Sequence, residues 1–142
     1  MSSHRTVTAA LAFGLVLACA GTAHTQQNHA TPQEVMQKVR QVAQDIAKAG
    51  EAGLATFSST NTTSIWKDSY TFVVSCERGT AVTAAHPVRP ELKGKPEPGG
   101  TQPTRKVSYL LAAQGTPYVV GAGIYDALTK IEDLNRLADG QP

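Results

Sequence analysis

The chain predicts an α+β fold, an antiparallel sheet with a long N-terminal helix and a short C-terminal helix. Three observations predict it. Apolar residues recur at intervals of three and four between Thr31 and Gly50. Short runs rich in β-branched and aromatic residues follow, separated by turns. After Asp126 the helical spacing returns. A helix, then strands, then a helix, with no internal repeat, is the order of one sheet with its helices set to one side.

Residues 1–23 come first and have the build of a secretory signal. A short basic start ends at Arg5, an uncharged run continues to Ala23, and small residues close it. The run is shorter than the roughly 20 apolar residues of a membrane span. Cleavage after Ala20 or after Ala23 fits the small-residue requirement equally, and "VLAC" offers Cys19 for lipoprotein processing. The expected location is periplasmic or secreted. Removing residues 1–23 leaves 12 basic against 11 acidic residues, a balance that gives no electrostatic case for nucleic acid. It also leaves Cys76 as the one thiol unless Cys19 is retained as a lipidated terminus, so an intramolecular disulfide is excluded. Residues 24–30 read as a flexible leader and residues 31–142 as a single domain with one modest core.

Thr31, Pro32 and Glu34 form a helix start: a cap, a proline at the first position and the glutamate of a capping box. Val35, Val39, Val42, Ile46 and Ala49 then line one face of a helix of about 18–22 residues. A polar loop leads to "YTFVVS", where Tyr70, Phe72 and Val74 alternate as in a strand. A turn at Gly79 and the run "TAVTAAHP" complete a hairpin that Pro87 ends. Five of the eight prolines lie between Pro87 and Pro103, so that stretch carries no regular element. Strands over 105–113 and 118–122 follow, joined at Gln114–Pro117. Asp126 is placed to cap a last helix with the stripe Leu128, Ile131, Leu134 and Ala138.

Taken in order, the leading helix, the strand pair ending in "AHP" (Ala85–Pro87), the "PELKGK" loop (Pro90–Lys95) and the closing hairpin with "KVSY" (Lys106–Tyr109) and "GAGIY" (Gly121–Tyr125) resemble the bacterial single Cache domain, a PAS-like extracytoplasmic sensor family. The similarity covers roughly residues 31–126. It implies a PAS/Cache-like antiparallel sheet and sensory binding of a small molecule, often a small organic acid. The chain departs from the family between the LKGK loop and the KVSY strand. Some forty residues that usually wall the ligand pocket are replaced by "KPEPGGTQPTRK".

Arg89, Lys93, Lys95, Arg105 and Lys106 gather about this shortened loop and suit a carboxylate or phosphate. Arg89 and Lys106 stand at strand edges, where a side chain is held best. The expected ligand contacts are Trp66, His86, Arg89, Lys106, Tyr109 and Tyr118: cations to neutralise the acid, aromatics to enclose its apolar part. A histidine ending a strand and aromatics at strand spacing are also ordinary core residues. The histidines and cysteines have no metal-ligand spacing. Cys76 and His86 lack a helix N-terminus or oxyanion site to make a hydrolase. No catalytic residue, metal or cofactor is therefore expected, and the chain is read as a non-enzyme. Any signal would pass in trans, to a membrane receptor or transporter. The alternative is an interaction domain that has lost its pocket and forms a homodimer through helix 31–50.

Overall fold

The computed structural model describes residues 28–57, 62–77, 79–96, 105–125 and 128–140. The expected signal sequence with Cys19, most of the expected leader and Asp126 lie outside them.

Helix α1 spans Pro32–Ala49. Its start is the capping box read from the sequence. The Glu34 amide donates to Thr31 Oγ1 at 3.3 Å, and the Thr31 amide donates to Glu34 Oε2 at 2.9 Å. The chain leaves α1 at Gly50, whose φ of 59° suits a residue without Cβ. It does not break off there but winds on as a 3₁₀ segment, Gly50–Phe57, that buries Phe57. A second tie fixes the helix entry: the Ala30 amide donates to Asp68 Oδ1 at 2.8 Å, and His29 Nδ1 lies 2.6 Å from Asp68 Oδ2.

Among the described residues the sheet has five antiparallel strands. Strand β1 (Ile65–Trp66) forms a tight hairpin with β2 (Ser69–Ser75), turning at Lys67 with φ 47°. A two-residue strand has no alternation to read, and the sequence pattern missed it. Strand β3 (Val82–Ala85) pairs with β2 through Val73↔Ala85 and Val74↔Thr83. Strand β4 (Val107–Ala112) and β5 (Tyr118–Ile124) form the closing hairpin around Gly115, φ 75°. The expected end of β5 at Ala122 falls two residues short, because "GAGI" continues in the sheet. Across the sheet the order is β3, β2, β5, β4, with β1 beside the start of β2.

Register separates the two faces. Thr71, Ala122 and Tyr109 form one row across β2, β5 and β4, and Val73, Val120 and Leu111 the next. These rows meet α1, whose Val35, Met36, Val39, Ala43 and Ile46 are buried with Val73, Val120, Ala122 and Ile124. Each large aliphatic side chain removed from water there contributes about 1.5–3 kcal/mol before entropy is counted. The valine stripe considered for a homodimer is thus taken up by the chain's own sheet.

Helix α2 spans Ile131–Asp139, later than the position from which Asp126 would cap it. Its N-cap is Lys130, which makes no side-chain cap bond. Only Leu134 of the expected stripe is buried; Leu128 is 86% exposed and Ile131 58%. The proline-rich stretch carries a short 3₁₀ turn, Pro90–Leu92, and returns to β3, where the Thr83 amide donates to the Lys95 carbonyl at 2.8 Å.

Candidate functional site

The face of the sheet turned away from α1 carries the other alternation: Tyr70 and Phe72 from β2, Leu110 from β4, and Gly121 and Gly123 from β5. Phe72, Gly121 and Leu110 form one row in register. A Cβ on Gly121 would stand 2.5 Å from both Leu110 Cδ2 and Phe72 Cζ, so the bare backbone is what lets these side chains lie flat over β5. Gly123 does the same for Lys106, whose Cε occupies the place a Cβ would take. The "GAGIY" sequence therefore makes a trough across the sheet, with Tyr125 at its end.

Lys106 Nζ comes to rest in this trough, 5.0 Å from the centroid of Phe72, 5.3 Å from Tyr70 and 5.6 Å from Tyr125. Each ring offers its electron-rich face to the cation. The rings are tied together: Tyr125 Oη donates to Tyr70 Oη at 3.1 Å. Burial first, and then the bond to Tyr70, raise the pKa of the Tyr125 hydroxyl well above its ordinary 10. Among the described residues no carboxylate pairs with Lys106.

His86 closes the cluster. Its ring centroid is 4.8 Å from Tyr70 and 6.2 Å from Phe72, and the residue is only 6% exposed. Burial, then the positive charges of Lys106 and Arg89, lower its pKa from 6.5 to about 4. The imidazole is accordingly neutral at physiological pH. Its Nδ1 accepts the Arg89 amide at 3.0 Å, which assigns the ring proton to Nε2. Arg89 itself donates from Nε to Glu91 Oε1 at 3.0 Å. His86 also reaches a cavity of about 280 Å³ behind it, lined with Phe57, Ala85, Pro90 and Lys93 among others.

Of the six residues expected to hold a ligand, the fold brings three together: His86, Arg89 and Lys106. The other three go elsewhere. Tyr109 lies on the α1 face, half-buried against the core. Trp66 packs against the same core with Lys38 Nζ 5.9 Å from its ring, and its buried Nε1 has no hydrogen-bond partner among the described residues. Tyr118 lines a cavity of about 410 Å³ with Glu51, Thr83 and Lys93, which adjoins the one beside His86 through Leu54, Ala84 and Lys93. Burial, with Glu51 and Glu77 nearby, raises its hydroxyl pKa. In their place stand Tyr70, Phe72 and Tyr125, none of them among the six expected contacts. Strand parity was the available signal: Lys106 and Tyr109 are three residues apart along a strand and must face opposite sides.

Cys76 is exposed just beyond the Ser75↔Val82 pair, whereas His86 follows the Val73↔Ala85 pair. The two therefore sit at different levels of the hairpin and form no nucleophile–base pair. Among the described residues no group of three or more His, Cys, Asp or Glu side chains is placed to hold a metal ion, and no helix is long and apolar enough to cross a membrane.

The arrangement provides an ammonium with no carboxylate partner among the described residues, a neutral imidazole N–H and three aromatic faces. It is suited to receiving an anion with a small apolar body. Comparison with protein-family models, curated proteins and solved structures finds no match to this chain.

Proposed function

We propose that the chain is an exported, non-catalytic binding domain of Cache-like construction that takes a small carboxylate on the outer face of its sheet and signals in trans. The observation that carries the reading is the Lys106 ammonium, held over Tyr70, Phe72 and Tyr125 without a carboxylate partner among the described residues. The carboxylate takes Lys106 and the Nε2–H of His86, and the rings cover its apolar part. The Cache-like reading is supported by the strand order β3, β2, β5, β4 and by a long N-terminal helix on one face with a trough on the other.

The test is a thermal melt with a panel of small carboxylates, on the parent chain and on Lys106→Met. Saturation to a hundred times the dissociation constant adds about 2.7 kcal/mol of stability. The expected result is a rise with one class of acid that Lys106→Met abolishes. A rise equal in both proteins, or none with any acid, would overturn the site. A second reading, an interaction domain without a ligand, is favoured by the exposed Leu110, Leu128 and Ile131.

A further inference from the structure

We infer that the free edge of β4 pairs with β4 of a second copy, joining two sheets into one across a two-fold axis. Strand β4 closes one side of the sheet. The Ala113 amide donates to the Tyr118 carbonyl at 2.9 Å, and this bond sets the alternation of the ladder. The main-chain groups of Val107, Tyr109 and Leu111 turn toward β5, and those of Ser108, Leu110 and Ala112 turn outward. Among the described residues these outward groups have no partner.

Edges of this kind are ordinarily blunted by a lysine, a proline or a bulge. Here Val107–Ala112 contains no charge and no proline, and its pairing with β5 runs without interruption. The occupant is a second copy because the strand complements itself. An axis at Leu110 sets Leu110 opposite Leu110 and Ser108 opposite Ala112 of the second copy, so every outward group meets an outward group. In the same register Lys106 falls opposite Gln114, and no like charges meet. Leu110 is 54% exposed and stands beside a groove of about 400 Å³ that it shares with Ile131, Leu134 and Asn135. The apolar surface that α2 leaves uncovered therefore lies along this edge.

The experiment is light scattering on the purified chain over a micromolar concentration series, with Leu110→Lys, Leu110→Glu and their equimolar mixture. The parent is expected to run at twice the monomer mass. Like charges placed face to face weaken each single variant by about tenfold or more, and the mixture regains the dimer. The exposed side chain keeps these changes out of the core, and a cooperative melt verifies it. Ala112→Pro, which removes an outward amide and spares the bonds to β5, gives a second monomeric variant. A parent that is monomeric throughout the series would overturn the proposal. So would a dimer that survives both charged variants, because association would then use another surface.

Discussion

Lys106 lies across Gly123, its Cε filling the space that a side chain on that residue would need. The relationship joins two parts of the chain that a local reading keeps apart, a lysine before β4 and a glycine late in β5. It decides where the ammonium stops. Without the bare Gly123 the lysine stem would be lifted from the sheet and its charge carried away from the three rings.

Alanine at the two trough glycines should therefore act differently. Neither glycine has a positive φ, so the cost comes from space alone. At Gly121 the new methyl meets the Phe72 ring, which is buried and cannot swing aside, as well as Leu110. Gly121→Ala should cost about 1–3 kcal/mol in a denaturant melt, the usual range for overpacking. At Gly123 the obstacle is an exposed, flexible lysine. Gly123→Ala should leave stability nearly unchanged and weaken carboxylate binding as Lys106→Met does. Equal losses of stability at both positions would show that the lysine is held far more rigidly than its exposure implies.

The start of α1 supplies a second prediction. Glu34 receives the Thr31 amide and also Lys67 Nζ, which lies 2.8 Å from both carboxylate oxygens. Thr31→Ala removes the cap and should cost about 1 kcal/mol, whereas Thr31→Ser should be close to neutral. The Lys67 and Thr31 bonds hold the Glu34 carboxyl below its ordinary 4.5. Its contribution is fully present above pH 4.5 and is lost as the pH falls through the lowered value. Glu34→Gln should flatten that part of the stability profile, measured by urea melts in acid. An unchanged acid limb would mean that the Lys67 contact does not persist in solution.

Local signals explain which elements were legible in the sequence. The Thr31–Glu34 box and the Val35, Val39, Ile46 stripe lie within one helix, and both behave in the fold as the spacing requires. The strands of both hairpins were readable from alternation and from turns at Gly79 and Gly115. Face assignment was less accessible. Which side of the sheet α1 covers is a tertiary choice, and it sends Trp66, Tyr109 and Tyr118 to the core side while leaving Tyr70, Phe72 and Tyr125 with Lys106. The α2 boundary was misplaced for a related reason. The Leu128 and Ile131 positions obey helical spacing, but neither is buried, so periodicity marked apolar residues that serve no core.

His86 gives the fold a pH dependence with a definite sign. The unfolded imidazole takes a proton near pH 6.5, the folded one only near pH 4. Stability from this group is complete above about pH 6.5, declines as the pH falls below that, and is gone by about pH 4. Protonation at Nδ1 also ends the bond from the Arg89 amide. His86→Asn offers an oxygen in a similar place and does not titrate. Between pH 6.5 and 4 the parent should lose stability steadily relative to this variant in paired urea melts. Parallel curves over that window would show that His86 titrates alike in the folded and unfolded chains.

The depressed basicity of His86 also reports on where Lys106 stands. Burial is its largest cause, and the Lys106 charge comes next, ahead of Arg89. Lys106→Met keeps a long unbranched stem over Gly123 but removes the charge. The His86 midpoint, followed by NMR of the ring protons, should move up from about 4 and stay below 6.5, since burial remains. Arg89→Gln should move it in the same direction by less, because the guanidinium is already engaged with Glu91. A midpoint indifferent to Lys106→Met but responsive to Arg89→Gln would place the ammonium away from the Tyr70, Phe72 and Tyr125 rings, and the carboxylate site would lose its cation.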